Sequence, residues 1–437
     1  MRAQGDIAIV GAGYVGLTSA ACFCEMGHRV RLVEINPDRL ATLRAGGCPI
    51  YEEGLPDLLK KHLGDRLHLT NQLAEAVAGA RALFVCVGTP PRADGAPDLR
   101  ALTRLLDDLK TLPALDGTVV VLKSTVPPGT NRMAYDWLEK RVPVVSNPEF
   151  LREGTAVADF FHPDRIVVGS PDAEAALAVA GLYVGLDAPL LVMGWEEAEL
   201  VKYATNAFLA MKISFANEIA ALCDGLGADA PDVLKGLGLD HRVGAQFLRP
   251  GPGYGGSCLP KDLQALAWKA RTTGVKLDLL RAAQRANARQ RVRLLAKLEQ
   301  GLGGLAGRTV AVWGLAFKAG TDDLRGAASL DVVPRLLEAG AVVRAFDPAA
   351  QEGFARLFPP AKHPDLTLAP DPWSALAGAD ALLILTEWGE FRVPPLEIRR
   401  RLRGRLVVDG RNLLDPDQVM NVGLLYCGVG RGRAGQT

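Results

Sequence analysis

The sequence lacks any paired-cysteine spacing. Its seven cysteines, Cys22, Cys24, Cys48, Cys86, Cys223, Cys258 and Cys427, are odd in number and scattered, with no CxxC. That argues against a disulfide framework or a zinc ribbon and fits a reducing, cytoplasmic location. The six histidines stand apart from one another, with no HxxxH or HExxH, so no metal is expected. An excess of one charge is also missing: 50 basic residues face 49 acidic ones, for a net charge of +1. Neither nucleic acid nor an anionic membrane is expected as a partner on electrostatic grounds. An anionic ligand must therefore be held by local groups. Apolar runs of membrane-spanning length are absent, most being strand length. Residues 7–23, IAIVGAGYVGLTSAACF, superficially resemble a signal peptide. Three glycines interrupt that run, Glu25 follows it, and a second β-branched stretch begins at Arg29. A strand–turn–helix–strand unit accounts for all of this. No short-period repeat is visible.

What is present is an ordinary globular composition, 49% hydrophobic and 23% charged, over 437 residues. That length predicts two or three domains. Short β-rich runs at 7–10, 30–33, 82–87, 119–122, 142–145 and 166–168 alternate with helical patterns such as 56–63 and 99–109. Alternation of this kind predicts a doubly wound parallel sheet. The middle of the chain is helical, at 196–224, 260–274 and 278–301, and the first of these is long enough to connect two domains. The β-α alternation returns at 309–313, 342–346, 381–386 and 406–409, after a boundary marked by Gly301, Gly303, Gly304 and Gly307. The expected fold is α/β, with two Rossmann-like doubly wound domains (1–195 and 301–437) joined by a central helical domain (196–300) that begins with the long connecting helix.

Gly11-Ala12-Gly13-Tyr14-Val15-Gly16 is a G-x-G-x-x-G between a strand and a helix. Gly11 permits the tight turn, Gly13 lets backbone approach a pyrophosphate, and Gly16 lets helix and strand pack closely. The helix start supplies N–H groups and positive potential for phosphate. Glu34 ends the second strand, where a carboxylate accepts from a ribose diol and repels a 2′-phosphate. NAD is therefore expected over NADP, an inference that the nearby Arg39 tempers. FAD is the competing ligand, but no second flavin signature is visible.

The most informative segment is Pro252-Gly253-Tyr254-Gly255-Gly256-Ser257-Cys258-Leu259-Pro260-Lys261-Asp262. A glycine-rich loop delivers Cys258 to the start of a helix whose first turn holds Pro260. A thiol there, with lysine nearby, is expected to ionise readily and act as a nucleophile. Asp262, four positions on, comes within a helical turn of the sulfur. The other cysteines read as structural: Cys22, Cys24, Cys86, Cys223 and Cys427 lie in apolar patterns, and Cys48 in a loop without a charged helper. A nucleotide cofactor plus a nucleophilic thiol predicts a chemistry. An alcohol is oxidised to an aldehyde, the thiolate adds, a second hydride leaves to give a thioester, and water releases a carboxylate.

These segments, with further blocks, resemble the UDP-glucose/GDP-mannose dehydrogenase family over nearly the whole chain. The blocks include Pro49-Ile50-Tyr51-Glu52, Val87-Gly88-Thr89-Pro90, Lys123-Ser124-Thr125-Val126-Pro127 and Asn147-Pro148-Glu149-Phe150-Leu151-Arg152-Glu153-Gly154. They continue through Lys202-Tyr203-Ala204-Thr205-Asn206, Gly314-Leu315-Ala316-Phe317-Lys318, Thr321-Asp322-Asp323 with Arg325, and Asp409-Gly410-Arg411-Asn412. Lys202 and Glu149 taken alone read as solvated surface charges; their roles come from the resemblance. It implies Cys258 as nucleophile and Lys202 as holder of the tetrahedral oxyanion. Asn206, one turn from Lys202, would share that oxyanion or position a water. Asp262 would order water and tune Cys258 and Lys202. Glu149 would serve as the acid/base group in thioester hydrolysis, and Thr125 would position a catalytic water. On the cofactor side it implies Thr89, Pro90, Thr125, Glu153, Lys261 and Arg325 beside the Gly11–Gly16 loop, Glu34 and Arg39.

The resemblance also places a nucleotide sugar between the two α/β domains. Glu149, Phe150, Leu151, Arg152, Glu153, Lys202 and Asn206 would line the sugar, with Lys318 and Arg411 approaching from the C-terminal domain beside Phe317. The loop containing Arg249, Gly251, Tyr254 and Gly255 would wrap the pyrophosphate. Arg242 would reach the sugar across a dimer interface, making a homodimer the expected functional unit. Ile50-Tyr51-Glu52 and Asp409-Gly410-Arg411-Asn412 resemble the UDP-glucose branch, whereas Leu259 also fits the GDP-mannose branch. UDP-glucose is the expected substrate, with GDP-mannose or a UDP-N-acetylhexosamine as alternatives and a non-catalytic nucleotide-sugar binder disfavoured by the intact Cys258. Arg325-Gly326 departs from the Arg-Glu common in the family.

Overall fold

A computed structural model describes residues 6–112, 115 and 117–432. By packing they form two compact units. The first comprises the chain through Thr205 together with Lys261–Val275; the second comprises Asn206–Pro260 and the chain from Lys276 onward. The fold is α/β, with two parallel-sheet Rossmann-like domains and a central helical region.

In the first unit the strands are β1 (Asp6–Val10), β2 (Arg29–Val33), β3 (Leu67–Thr70), β4 (Ala82–Val85), β5 (Val119–Leu122), β6 (Val144–Ser146), β7 (Ile166–Gly169) and β8 (Leu190–Met193). They lie in the order β3-β2-β1-β4-β5-β6-β7-β8. All neighbours are parallel except β6 and β7, which meet antiparallel through Ser146 and Gly169. Central strands such as Ala82–Val85 and Val119–Leu122 are buried along their whole length, which is why they read as unbroken apolar runs. The run at 142–145 is shorter as a strand than its composition suggests. It begins at Val144, because Pro143 has no N–H to donate to a ladder.

The second unit repeats the plan. Strands β9 (Thr309–Trp313), β10 (Val342–Phe346), β11 (Leu366–Leu368), β12 (Ala381–Ile384), β13 (Leu406–Asp409) and β14 (Leu425–Gly428) form the all-parallel order β11-β10-β9-β12-β13-β14. In both sheets the strand order reverses beside the first strand, which opens a crevice at the carboxyl ends. In the second sheet that position is closed to a ribose diol. Asp347, the counterpart of Glu34, is buried and accepts from the backbone N–H groups of Leu315, Ala316, Ala349 and Ala350 and from the Trp388 indole.

The helical region contains Trp195–Leu226, Ala230–Gly238, Leu259–Thr272 and Asp278–Leu302. The division between units falls inside the first of these, after Thr205, and inside the third, after Pro260. Among the described residues no helix is long and apolar enough to cross a membrane.

Candidate active site

The glycine loop of the first unit has the geometry its spacing predicts. Gly11 adopts a φ of +100°, and a Cβ there would stand 2.8 Å from the Cys86 carbonyl oxygen. A Cβ on Gly16 would stand 1.9 Å from the Gly11 carbonyl oxygen. Only glycine fits either position. Around Gly13 nothing lies within 4 Å of the Cβ direction. The helix Tyr14–Glu25 that follows has no side-chain cap on its amino end. Glu34, buried at the end of β2, accepts from the backbone N–H groups of Ala12 (3.2 Å) and Asn36 (2.7 Å) and pairs with Arg39 (3.2 Å). An open cradle, uncapped N–H groups and a fixed carboxylate together fit a dinucleotide with a free ribose diol.

The same unit holds several further clusters. Lys202 and Glu149, both buried, form an ion pair at 3.1 Å. The second Glu149 oxygen accepts from the Leu151 backbone N–H at 2.6 Å. The Phe150 ring lies beneath the Lys202 ammonium (5.4 Å) and carries the Arg165 guanidinium stacked at 3.5 Å. Asp262, fully buried on Leu259–Thr272, pairs with Lys261 at 2.6 Å. Thr89 donates to the Thr125 carbonyl at 2.9 Å, tying two expected cofactor residues together. Pro90 and Arg152 are exposed, and Arg152 pairs with Asp159. Glu153 is buried in the Arg152–Ala156 turn, which Glu52 anchors by accepting from the N–H groups of Gly154 and Ala156, both at 2.7 Å. Tyr14 adds a second acceptor for Gly154 N–H at 2.8 Å.

In the second unit the loop before Cys258 is threaded through contacts that leave no room for side chains. A Cβ on Gly253 would meet the Asn287 amide oxygen at 2.5 Å, and one on Gly255 would meet the Gly326 carbonyl oxygen at 2.2 Å. A Cβ on Gly256 would stand 2.8 Å from the Phe317 ring. Asn287 accepts from Tyr254 N–H (2.7 Å) and donates to its carbonyl (3.1 Å). Asn217 and Gln290 hold the N–H and carbonyl of Gly251. Arg291 donates to the Gly326 carbonyl at 2.6 Å, and the Arg325 carbonyl accepts from Gly256 N–H at 2.8 Å. Cys258 emerges half-buried immediately before Leu259–Thr272, 3.5 Å from the Ser257 hydroxyl.

The expected sugar-nucleotide residues Gly251, Tyr254, Gly255, Phe317 and Arg411 are neighbours in this unit. Arg411 donates to the carbonyls of Phe317 (2.5 Å) and Leu385 (2.8 Å) and pairs with Glu387 at 2.8 Å; its guanidinium lies 3.8 Å from the Cβ direction of Gly251. Lys318 lies over the Phe317 ring at 5.6 Å. Tyr254 is buried, and burial pushes its phenol up to about 12. Arg249 is exposed; Arg242 is exposed and pairs with Asp240 at 2.5 Å, and Arg325 pairs with Asp323 at 2.8 Å. Asn206 is buried on Trp195–Leu226.

The remaining cysteines differ from Cys258. Cys22, Cys24, Cys86 and Cys223 are buried, and Cys48 and Cys427 half-buried. Burial raises all six thiols, Cys24 and Cys86 to about 12. Among the described residues no group of three or more His, Cys, Asp or Glu is placed to hold a metal ion.

Sequence reasoning missed the residues that hold the loop. Asn287, Gln290 and Arg291 share one face of Asp278–Leu302 by their i, i+3, i+4 spacing, a polar stripe on a buried helix side that was there to be read. It also missed Glu199, a buried carboxylate on Trp195–Leu226, and Arg165, whose stacking on Phe150 has no local signature.

A glycine-turned Rossmann sheet with a ribose-directed carboxylate, in a chain that also presents a half-exposed thiol at a helix start, defines an NAD-dependent oxidoreductase. Comparison with known proteins places it further. Residues 5–187 match the NAD binding domain of the UDP-glucose/GDP-mannose dehydrogenase family, residues 196–289 its central domain and residues 311–416 its UDP binding domain. The chain belongs to that family. It is 46% identical to a UDP-glucose 6-dehydrogenase of Pseudomonas aeruginosa over 98% of each chain. Its fold matches the structure of a UDP-glucose dehydrogenase from the hyperthermophilic archaeon Pyrobaculum islandicum with TM-score 0.89 at 39% identity, covering 98% of both chains. It also matches a UDP-D-ManNAc dehydrogenase from Pyrococcus horikoshii with TM-score 0.86 at 28% identity, covering 98% of this chain and 100% of that one.

Proposed function

We propose that this dehydrogenase oxidises UDP-glucose to UDP-glucuronate in two two-electron steps, with Cys258 carrying the sugar through the second. The observation that carries the reading is the presentation of Cys258. Three glycines with no room for a Cβ bring this half-exposed thiol to a helix start, on a loop pinned to Phe317 and Gly326. A protein that only bound a nucleotide sugar would need no such thiol. The relatives named for UDP-glucose, at 46% and 39% identity over nearly the whole chain, support the choice of sugar.

Bound NAD supplies the hydride acceptor for both oxidations. The chain's own residues manage the sulfur, the protons and the water. In the first oxidation the C6 hydroxyl proton leaves through water ordered by Thr125 and Asp262. The Cys258 thiolate then forms a C–S bond to the aldehyde carbon, and the Lys202 ammonium and Asn206 amide hold the oxyanion of the thiohemiacetal. Loss of the second hydride leaves a thioester. Water attacks it, Glu149 takes the water's proton, and the C–S bond breaks to return the thiolate. Alcohol and water together give up two hydrides and three protons, leaving a carboxylate. The 3.1 Å spacing of Glu149 and Lys202 suits a base working beside the cation that steadies the same intermediate.

The three-part division expected from sequence assigns NAD to 1–195, the nucleophile's loop and oligomer contacts to 196–300, and the UDP moiety to 301–437. The working unit is a homodimer in the cytoplasm. An exposed row on Trp195–Leu226, Phe208, Phe215, Leu222 and Leu226, supports a second copy as the covering partner. One further reading, oxidation of a UDP-N-acetylhexosamine, draws on the TM-score of 0.86 with the UDP-D-ManNAc dehydrogenase. The test is NADH formation from a panel of UDP-glucose, UDP-N-acetylhexosamines and GDP-mannose. UDP-glucose is expected to give the highest kcat/KM and two NADH per sugar. A higher value with another sugar nucleotide, or one NADH per sugar, overturns the assignment.

A further inference from the structure

Glu199 stands three residues before Lys202 on Trp195–Leu226, one helical turn away, yet it reaches across to another element. One carboxylate oxygen accepts from the Gly129 backbone N–H at 2.6 Å. The other accepts from the backbone N–H of Asn131 at 2.8 Å and from its side-chain amide at 2.7 Å. The two backbone donors are open N–H groups at the start of the helix Thr130–Trp137, where the preceding Gly129 offers no side chain to cap them. The same loop begins at Thr125, whose carbonyl is fixed from the other side by Thr89. A single side chain on the lysine's helix therefore anchors the far end of the threonine's loop.

We infer that Glu199 is a positioning residue for the oxidation proposed above: in its ionised form it locks the Thr125 loop to the helix that carries Lys202. The inference rests on that proposed reaction and adds to it a group that touches neither substrate nor cofactor. All three donors are N–H groups, so a proton on either carboxylate oxygen would confront a donor and loosen the lock. Burial pushes the carboxyl up to about 7, against the three N–H groups that pull it down. The charged and titratable groups on its own helix include Glu196, Tyr203 and Lys202, which pairs with Glu149; Glu196 is engaged by Arg132 at 2.8 Å from the helix Thr130–Trp137. From Leu259–Thr272, Lys269 approaches Gly129, and Asp262 acts on Tyr203. Glu196 adds to the upward push of burial, the N–H groups oppose both, and Arg132 acts on Glu199 as well as on Glu196.

The sign follows. The ionised form is lost as pH falls through about 7, and the lock with it. The experiment compares kcat and kcat/KM for UDP-glucose between pH 5.5 and 9 in the wild type and in Glu199→Gln, with NAD binding and the thermal midpoint recorded for each. Misplacing a catalytic group by an ångström costs up to about a hundredfold in rate. Glu199→Gln is therefore expected to lower kcat by roughly tenfold to a hundredfold at pH 8 and to lack the wild type's fall in kcat near pH 7. Selective 15N labelling of glycine and asparagine gives a readout free of turnover: the Gly129 and Asn131 amide shifts should titrate near pH 7 in the wild type and not in the variant. A low-pH limb that survives in Glu199→Gln, or amide shifts that do not titrate, overturns the inference. Failure of the wild type to oxidise UDP-glucose, with those shifts still titrating, overturns instead the substrate reading.

Discussion

At the scale of single residues, sequence conveyed type and spacing well but not partners. The glycines around Cys258 were visible as a cluster, and so was the thiol that follows them. That Gly255 passes the Gly326 carbonyl and Gly256 the Phe317 ring was not visible, because those groups lie 71 and 61 positions away (326 − 255 and 317 − 256). The same holds for Lys202 and Glu149. Each reads alone as an exposed charge, and only the fold reveals the buried pair. Arg325-Gly326 gains a physical account at this scale. Gly326 adopts a φ of +62°, and its neighbours at the Cβ direction are Pro260 at 3.3 Å and Gly255 at 3.4 Å. Glycine thus suits a position in close contact with the loop before Cys258. The prediction here concerns the sulfur. In Cys258→Ser a hydroxyl replaces the half-exposed thiol at the helix start, and a poorer nucleophile must carry the second oxidation. Net UDP-glucuronate formation is expected to fall at least about a thousandfold, the scale on which losing a covalent nucleophile acts. NAD affinity, measured by fluorescence titration, should be unchanged, since Gly11–Gly16 and Glu34 are untouched. Undiminished uronate production would remove the thioester from the mechanism.

At the scale of elements, legibility followed burial. The strands at Val119–Leu122, Thr309–Trp313, Val342–Phe346 and Leu406–Asp409 match their apolar runs end to end. The four strands without a clear signal, Leu67–Thr70, Leu190–Met193, Leu366–Leu368 and Leu425–Gly428, are the outermost strands of the two sheets. An edge strand is covered on fewer sides, so polar residues such as His68 and Thr367 interrupt two of these patterns, while Leu190–Met193 is an apolar run left largely exposed. The helix Asp278–Leu302 shows what periodicity alone concealed. Its apolar face packs inward, but Asn287, Gln290 and Arg291 grip the backbone of the loop before Cys258 and of Gly326 beside it. Asn287→Ala removes two hydrogen bonds and leaves the buried N–H and carbonyl of Tyr254 with fewer partners. That should cost about 1–3 kcal/mol, seen as a lower thermal midpoint. Because the loop also delivers Cys258, kcat/KM should fall at temperatures where the variant remains fully folded. A variant with a lower midpoint and wild-type kcat/KM would mean that this helix stabilises the fold without positioning the nucleophile.

For the whole molecule, two sheets share one strand plan, yet only the first keeps the dinucleotide site open. Glu34 presents a carboxylate with few donors, whereas Asp347 is consumed by five N–H groups from its own unit. The same architecture thus gives one acidic position two different surroundings, and composition could not have told them apart. Assembly is the remaining property of this scale. Phe208, Phe215 and Leu222 recur every seven residues along Trp195–Leu226 and are 57%, 47% and 58% exposed. A seven-residue apolar repeat on one helix side is what a partner helix buries, and a two-fold axis lets one copy of the stripe meet another. Replacing both rings in Phe208→Glu/Phe215→Glu would bring like charges together across such an axis and remove roughly the apolar area of two aromatic side chains from each copy. Light scattering should then report a shift from twice the chain mass to the 46.5 kDa of one chain. If Arg242 completes the sugar site of the second copy, UDP-glucose oxidation should fall in the same variant while NAD binding persists. A double variant that keeps the wild-type mass would place the association surface elsewhere.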